Sequence, residues 1–297
     1  MKLYCIITRA AQKESHSYRY FEQACVQRNI ELVPVQADTF DYAQDMSQFV
    51  ETPSMLYRMG IGERTAILEA LLFRPGVATF YNNVSYIFTR NGWGPTIMQD
   101  AAGLPTIPTV FNVARDQEDH FEQYAEHLGG FPLILKASGG SHGASVLRVD
   151  SLESLRSVVG YVADGTASFA LRKYIHDATH LRMVVVGDQV VDAIRYLPQP
   201  GDFRTNAVAV PQVEAYARTD ETAPYFELAI KAVAAEDIEF GGVDILLDAQ
   251  GAPYIAEINF PCNFSRNQMT TDVDVAGSMI DYLLAKARLL SGGHNAA

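Results

Sequence analysis

Residues 242–259 constrain the fold and the chemistry of this chain more than any other segment. They contain two apolar runs, Val243–Leu247 and Tyr254–Ile258, on either side of a turn-forming stretch. Two such runs around a Gln-Gly pair are typical of a β-hairpin, and we expect Gln250–Gly251 to be its two-residue loop. The segment therefore predicts a pair of antiparallel strands with a fixed register.

The predicted register brings three oxygen-bearing side chains together. With a two-residue loop Asp244 lies opposite Glu257, and alternation along the strand puts Asn259 on the same face. Two carboxylates inside an apolar sheet repel each other unless a cation lies between them, and ligands that offer only oxygen suit Mg²⁺. A solvent-facing polar stripe on a half-buried hairpin is the alternative interpretation.

The composition is that of a globular protein and excludes some classes of function. The chain has 297 residues, of which 48% are hydrophobic and 20% charged, so it can form two or three compact lobes. Its formal net charge of −12 argues against non-specific binding to nucleic acid or to an anionic membrane, since both require a basic surface. A small anionic ligand in a local basic pocket is compatible with this charge.

The apolar runs and the cysteines indicate a cytoplasmic protein. The longest apolar runs have the length of a strand, so we expect no transmembrane helix. Residues 1–9 lack the long apolar stretch of a signal peptide and are typical of a first core strand. Cys5, Cys25 and Cys262 are few, odd in number and widely spaced, which favours reduced thiols over disulfides or a zinc site.

The first part of the chain, residues 1–92, is predicted to form an open α/β domain. Strand-like and helix-like patterns alternate there, which favours a sheet with helices packed on it. Breaker residues cluster at 81–84 and 91–95 and predict a domain boundary near residues 90–95. The expected elements are strands Leu3–Ile7, Glu31–Val35 and Ser54–Arg58 and helices Ser17–Arg28 and Glu63–Leu72.

Two further lobes are predicted, a small α+β lobe at residues 93–175 and a larger one at 176–290, followed by a flexible tail at 291–297. Asp150-x-x-Glu153 predicts a capping box at the start of one helix. The expected strands are Phe131–Lys136, Ser145–Val149, Phe169–Ile175, Leu181–Val186 and Val190–Tyr196, and the expected helices are Thr96–Ala102, Ser151–Val159, Thr222–Ala235 and Val275–Leu290.

A glycine- and serine-rich loop follows Lys136, in residues 137–145. Small residues between two strands leave backbone N–H groups exposed, and such loops can fold over phosphates. The loop is not a Walker motif, because no Gly-Lys-Ser/Thr begins a helix here. Lys136 at the strand end is placed to reach a phosphate as a point charge, whereas a flexible connection is the alternative interpretation of the loop.

The order of these features resembles one protein family. A strand that ends in Lys136, a Gly/Ser loop, a strand that ends in residues 172–175 and the Asp…Glu-x-Asn hairpin follow one another. This order resembles the ATP-grasp superfamily and, within it, the RimK-like carboxylate–amine ligases, which attach amino acids such as glutamate to an acceptor. The resemblance covers nearly all of residues 54–290. Further matching segments are 181–194, 201–206 and 270–277.

The resemblance implies a fold class and a nucleotide site. The fold is expected to be of mixed α/β and α+β class, an ATP-grasp fold after an N-terminal open α/β (pre-ATP-grasp) domain. Lys173 and Tyr174 would hold adenine largely through main-chain groups, and His180 falls at the family's ribose-binding position. Residues 141–145 would form a flap over the phosphates. The implied ATP-binding residues are Lys136, Ser141, His142, Gly143, Ser145, Lys173, Tyr174, His180 and Thr205.

The resemblance also implies catalytic and metal-binding residues. Arg204, Thr205 and Asn206 match an Arg-Ser-Asn sequence that faces the phosphates and the reacting acid. Arg204 or Arg182 would stabilise a tetrahedral oxyanion, and a surface salt bridge is the alternative role for either arginine. The implied metal ligands are Asp244, Glu257 and Asn259, which would hold two Mg²⁺ ions bridged by Glu257, with Mn²⁺ as an alternative metal.

The chain departs from the family at three nucleotide positions. Gly92 stands where relatives have a phosphate-binding lysine, and Arg90 is the candidate to replace it, although an arginine fork is not equivalent to a lysine point charge. Lys173 replaces a glutamate and His180 replaces an aspartate, so each change removes an acid near the nucleotide. An ATP-binding protein of the same fold with lost or altered ligase activity is therefore an alternative function.

The acceptor region departs from the family as well. Residues 260–266 replace the Ser-Pro-Gly that relatives often carry after Glu-x-Asn. Arg266 in this loop and Arg58 in the N-terminal domain are the candidates for binding a substrate carboxylate. Cys262 near the site is expected to be a buried small hydrophobic residue.

The predicted function is an ATP-dependent, ADP-forming ligase that joins a carboxylate to an amine through an acyl phosphate. Its cofactors would be ATP and Mg²⁺. Its partners would be a small-molecule carboxylate and an amine, from amino acids or peptides, with a protein C-terminus as a further acceptor. A phosphotransferase acting on a small acid or alcohol is a third reading. The identity of both substrates and the formation of homo-oligomers are left open.

Overall fold

The fold is taken from a computed structural model of the chain. It describes residues 1–44, 46–89, 93–137, 146–162, 169–198, 203–204 and 212–292. Within these ranges the strands form two four-stranded sheets and one five-stranded sheet. In the same ranges, no helix combines the length and the apolar character that crossing a bilayer requires.

The first sheet is parallel. Its elements and those around it are β1 Lys2–Ile7, α1 His16–Gln27, β2 Glu31–Gln36, α2 Met46–Phe49, β3 Ser54–Arg58, α3 Glu63–Leu72, β4 Val77–Ala78 and α4 Tyr86–Thr89. The strand order is β2-β1-β3-β4, and β1 and β3 are buried along almost their whole length, as expected of continuous apolar runs in a parallel sheet. The strands and helices predicted for this part are confirmed to within one residue at each end.

The second sheet, which we call the small sheet, is antiparallel and has its own apolar core. Its strand order is β5-β8-β6-β7. The strands predicted here are confirmed with small shifts at their ends. The elements are α5 Gly94–Ala101, β5 Thr109–Val113, α6 Phe121–His127, β6 Leu133–Ala137, β7 Val146–Val149, α7 Leu152–Val162 and β8 Phe169–Lys173.

Helix α7 is capped one residue later than the sequence suggested. Ser151 Oγ accepts from the Ser154 backbone N–H at 3.2 Å, and Ser154 Oγ accepts from the Ser151 backbone N–H at 3.0 Å. This reciprocal pair has the geometry of a capping box with serine in both positions. The prediction that Asp150 and Glu153 form the box was wrong, because Asp150 instead accepts from Arg148 Nε at 2.7 Å.

The third sheet, which we call the large sheet, carries the predicted hairpin. Its strand order is β11-β10-β9-β12-β13, with every neighbouring pair antiparallel. The hairpins at 187–188 and 248–252 and the long helices are confirmed. The elements are β9 Thr179–Val186, β10 Gln189–Tyr196, β11 Val213–Ala215, α8 Ala223–Ala235, β12 Phe240–Leu247, β13 Pro253–Asn259, α9 Ser265–Thr271 and α10 Val275–Gly292.

The turn between β12 and β13 is longer than predicted. Leu247 pairs with Pro253, so the connection comprises residues 248–252 rather than Gln250–Gly251 alone. Asp248 organises it, because its Oδ1 accepts from the backbone N–H groups of residues 250 and 252, each at 2.9 Å. A two-residue loop was therefore the wrong turn, although the hairpin itself is present.

A bulge in β13 restores the predicted pairing. Ile245 pairs with Ile255, whereas Asp244 pairs with Glu257, so Ala256 is an extra residue in β13. The one-residue shift from the longer turn is cancelled at this bulge. The predicted opposition of Asp244 and Glu257 is thus confirmed, by a route that the sequence pattern did not indicate.

Helix α10 packs against the N-terminal sheet as well as the large sheet. One continuous core contains Leu3 of β1, Phe240 of β12 and Met279 of α10. Lys286 of α10 donates to the Thr79 carbonyl oxygen at 3.0 Å and forms an ion pair with Glu239. The helix extends through Gly292, so residues 291 and 292 do not belong to a flexible tail, and residues 293–297 lie outside the described ranges.

Candidate active site

Polar side chains on neighbouring strands of the large sheet surround Asp244. Arg182 on β9 pairs with Asp244 on β12, and Glu257 on β13 pairs with it from the other side. Arg182 Nε lies 3.0 Å from Asp244 Oδ1, and His180 Nε2 lies 3.1 Å from the same oxygen. Asp244 is only 5% exposed, so these contacts hold a buried carboxylate in one orientation.

The electrostatics of this pair favour the charged forms. Burial by itself raises the pKa of Asp244, but the Arg182 guanidinium and the hydrogen bond from His180 outweigh it, and the net pKa is lowered. Burial likewise lowers the pKa of Arg182, and the charge of Asp244 more than reverses this, so that its net pKa is raised. Asp244 is therefore an ionised carboxylate that can act as a metal ligand.

The donor atoms fit a magnesium site. Asn259 Nδ2 donates to Asp244 Oδ2 at 3.1 Å, which leaves the amide oxygen for a cation. Asp244 accepts three contacts and keeps about one of its roughly four lone-pair sites. In the parts of the chain that the structure describes, no three His, Cys, Asp or Glu side chains cluster as metal ligands. A small oxygen set of this kind suits Mg²⁺, which takes its other ligands from phosphates and water.

Lys136 and Glu257 bridge the two antiparallel sheets. Lys136 lies near the end of β6 in the small sheet, and its Nζ is 3.0 Å from Glu257 Oε2 on β13 of the large sheet. The Glu257 side chain is 50% exposed, so it projects into the space between the sheets. An ammonium group and a carboxylate thus meet where phosphates and a metal would need charges of both signs.

A cleft of about 400 Å³ lies between the small and large sheets. It brings together seven of the predicted site residues, from β6, β8 and the residue after it, β9, β12, β13 and the described pair 203–204. These are Lys136, Lys173, Tyr174, His180, Arg204, Asp244 and Glu257. The cleft is lined by apolar side chains as well, which is typical of a small-molecule site.

One end of the cleft is aromatic. The rings of Tyr174 and Phe203 are 6.4 Å apart and nearly perpendicular, and the guanidinium of Arg148 lies 5.4 Å from the Tyr174 ring centre. The guanidinium of Arg204 lies 5.6 Å from the Phe203 ring centre. Phe203 therefore connects Arg204 to the segment expected to hold the nucleotide base.

His180 makes contacts different from those that the family pattern implied. Its ring stacks on Tyr196, with centres 4.5 Å apart and planes inclined by 26°, and its Nε2 faces Asp244. The side chain is 5% exposed. His180 thus orients the carboxylate Asp244, whereas the resemblance had placed a ribose contact at this position.

The two candidates for binding a substrate carboxylate lie in different environments. Arg58 is buried and donates to Glu69 Oε2 at 2.7 Å and to the Gly60 carbonyl oxygen at 3.2 Å. Arg266 on α9 is partly exposed, and its guanidinium lies 5.9 Å from the ring centre of Tyr196, the residue that stacks on His180. The contacts of Arg58 are those of a structural ion pair, and those of Arg266 put it beside the site.

Several predicted site residues lie outside the described ranges. They are Arg90, Gly92, Ser141, His142, Gly143, Ser145, Thr205 and Asn206. Their assigned roles stay predictions.

Arg172 is a site residue that sequence reasoning missed. It is buried and lines the cleft, and it donates to the Ala256 carbonyl oxygen at 3.0 Å and to Thr96 Oγ1 at 3.1 Å. Burial lowers the pKa of its guanidinium. The hydrogen bond to Ala256 links the small sheet to the bulge of β13 beside Glu257. The charge of Arg172 directly after the apolar run of residues 169–171 was the signal for this residue.

Gly242 and Cys262 pack closely together beside Arg182. A Cβ added at Gly242 would lie far inside van der Waals contact with Cys262 Sγ and 2.6 Å from Arg182 Nη1. The thiol of Cys262 is buried as predicted, and this burial raises its pKa to about 11. The thiol is therefore protonated and acts as a small packing group.

Comparison with known proteins supports the family resemblance that the sequence indicated. The family model of the RimK-like ATP-grasp domain matches residues 99–283. A probable alpha-L-glutamate ligase of Serratia proteamaculans is 32% identical over 174 residues, which are 57% of each chain. A ribosomal protein bS6–L-glutamate ligase of Escherichia coli is 31% identical over 181 residues, 59% of this chain and 57% of that one. The chain thus aligns with little more than half the length of these relatives.

A solved structure shares the fold over almost the whole chain. The ATP-grasp ligase PsnB, complexed with minimal precursor, Mg and ADP, aligns with a TM-score of 0.73 at 16% identity. The alignment covers 96% of this chain and 98% of that one, so it includes the N-terminal sheet as well as the two antiparallel sheets. The family match, the mixed α/β and α+β fold and the composition of the cleft agree: the chain belongs to the RimK-like ATP-grasp family.

Proposed function

We propose that the protein is an ATP-dependent, ADP-forming carboxylate–amine ligase. The observation that carries the proposal is the pairing across the cleft of Lys136 with the Asp244, Glu257 and Asn259 set. A cation at one wall and two carboxylates with an amide at the other are what a magnesium nucleotide requires. The relatives named as glutamate ligases support the reaction class.

The reaction would proceed in two steps. The γ-phosphoryl group of ATP passes to a carboxylate oxygen, which gives an acyl phosphate and ADP. The amine nitrogen then attacks the carbonyl carbon, loses a proton, and inorganic phosphate leaves as the amide forms. Lys136 would neutralise phosphate charge, and bound Mg²⁺ would supply further neutralisation of the transferring phosphoryl group.

The geometry favours Arg204 over Arg182 as the oxyanion-stabilising group. Arg182 is held by Asp244, and its Nη1 donates to the Gly242 carbonyl oxygen at 3.2 Å. These contacts hold the Arg182 guanidinium against the Asp244 carboxylate. Arg204 lines the cleft and lies over Phe203, so it faces the space where a substrate would bind.

The substrates and the metal count belong to the proposal. By analogy with the named relatives, the amine would be an amino acid, and the acceptor would be a small acid, a peptide or a protein C-terminus. Arg266 is our candidate for the substrate carboxylate. Glu257 would bridge two Mg²⁺ ions, as the family resemblance implies, and only one of its oxygens contacts Lys136. The three buried free thiols support a cytoplasmic location.

The test is ADP release across a panel of amino-acid pairs, with and without Mg²⁺. We expect Mg²⁺-dependent ADP formation with at least one pair, together with a product that contains a new amide. Tight ATP binding without turnover for any pair would overturn the ligase proposal and favour a binding protein of the same fold.

A further inference from the structure

We infer that Asp177 binds the ribose hydroxyls of the nucleotide in this chain. The inference rests on the proposed function, because it requires a nucleotide in the cleft. It deepens that function by naming the residue that selects a ribonucleotide, at a position where the family resemblance placed no ligand.

Asp177 lies in the chain between a residue at the aromatic end of the cleft and one at its carboxylate end. Tyr174, Asp177, Ala178 and His180 all line it. Tyr174 belongs to the aromatic end, and His180 touches the carboxylate end through Asp244. A nucleotide with its base at the rings and its phosphates at the carboxylates has its sugar between them. The segment from 174 to 180 therefore passes Asp177 along the position of the sugar.

The chemistry of the cleft leaves Asp177 as the available acceptor. Among the described residues three carboxylates line the cleft, of which Asp244 is paired with Arg182 and Glu257 with Lys136. Asp177 is exposed and makes no hydrogen bond or ion pair to any residue in the described ranges. Two vicinal hydroxyls donate two hydrogen bonds, and a carboxylate offers two oxygens to accept them.

The residue at the family's ribose position cannot take this role in its observed contacts. The Nε2 atom of His180 faces Asp244, and the ring is buried against Tyr196. Lys173, also in the cleft, has an ammonium group that only donates. Asp177 has a backbone φ of +47°, in the left-handed region that aspartate tolerates, so the turn itself presents the side chain.

The test compares the binding of ATP and 2′-deoxy-ATP by titration calorimetry, in the presence of Mg²⁺ and without other substrates. Asp177→Gly removes the carboxylate and suits the positive φ. Asp188→Gly is the matched control, because Asp188 is an exposed turn residue at the opposite end of the same strand. We expect the native protein to bind ATP about tenfold more tightly than 2′-deoxy-ATP, the effect of one charge-assisted hydrogen bond. Asp177→Gly should lose this preference and Asp188→Gly should keep it.

Other outcomes distinguish a failure of the inference about ribose from a failure of the proposed function. An unchanged preference in both Asp177→Gly and Asp177→Asn overturns the inference about ribose. Loss of the preference in His180→Asn, with Asp177→Gly unaffected, overturns it in favour of the family position. If the native protein binds neither nucleotide, the proposed function itself fails.

Discussion

Lys136 Nζ lies 3.0 Å from Glu257 Oε2, and this contact joins the small sheet to the large sheet across the cleft. The Glu257 side chain is half exposed, and an ion pair of this kind adds only about 0–1 kcal/mol to stability. Its importance is positional, because it holds a cation and a carboxylate at the place where phosphate and Mg²⁺ would be bound. Effects of mutating the pair should therefore be seen in activity and not in stability.

Glu257→Gln is expected to abolish turnover while the protein stays folded. The amide cannot supply the negative charge that a bridging metal ligand needs, so we expect kcat to fall at least about a hundredfold. The free energy of unfolding should change by less than about 1 kcal/mol. ADP release and urea denaturation check the two parts.

Glu51→Gln is the control for this change. Glu51 also pairs with a lysine, Lys2, at 2.6 Å, but lies on the surface of the N-terminal domain. It should leave both activity and stability near their native values. Retained activity in Glu257→Gln would contradict the role of Glu257 as a metal ligand.

Asp244→Asn is expected to destabilise the fold in a pH-dependent way. The change leaves the buried Arg182 without its counter-ion, which costs about 3 kcal/mol at neutral pH. The folded-state pKa of Asp244 is lowered relative to that of the unfolded chain. The carboxylate therefore contributes stability above the unfolded pKa, and this contribution is lost as the pH falls through the folded-state pKa.

The measurement is denaturant unfolding of the native protein and Asp244→Asn between pH 3 and pH 7. The difference in free energy of unfolding should be largest at neutral pH and shrink below about pH 4. Asp188→Asn, at an exposed turn, should show no such difference. A constant gap across this range would contradict the assigned electrostatics.

Gly242→Ala is expected to destabilise the packing around Cys262 and Arg182. The added methyl group would overlap Cys262 Sγ and crowd Arg182 Nη1, and overpacking of this kind costs about 1–3 kcal/mol. Cys262→Ala removes the sulfur and should recover part of the loss in the double variant. Thermal unfolding of the two single variants and the double variant measures the coupling, and strict additivity would show that the two side chains do not meet.

The hairpin shows how far the sequence determines the site. The two apolar runs predicted both strands, and the assumed two-residue loop at Gln250–Gly251 predicted the opposition of Asp244 and Glu257. A one-residue slip would turn one carboxylate to the other face. The turn was not predictable, because the two hydrogen bonds to Asp248 stabilise a longer loop than Gln250–Gly251. The bulge at Ala256 compensates for that loop, and bulges leave little trace in a single sequence.

The contacts of His180 and Arg172 could not be predicted for a related reason. Both depend on which strands are neighbours in space, and a single sequence does not give that order. His180 is near Asp244 because β9 lies beside β12, and Arg172 reaches Ala256 across the gap between two sheets. The family resemblance placed His180 near the nucleotide, but it could not supply the partner of a histidine that stands where relatives have an aspartate, and it assigned no role to Arg172.

Arg266→Ala and Arg58→Ala are expected to separate a substrate-binding role from a structural one. Arg266 is partly exposed beside Tyr196, so its removal should raise the KM for one substrate about tenfold and leave the melting temperature unchanged. Arg58 is buried against Glu69, and its loss leaves an unpaired buried carboxylate that costs about 3 kcal/mol. Steady-state kinetics and thermal unfolding of both variants distinguish the roles, and Arg266→Lys should recover part of the affinity. Unchanged kinetics in Arg266→Ala would remove this residue from the pocket. A raised KM with native stability in Arg58→Ala would instead assign the substrate carboxylate to Arg58.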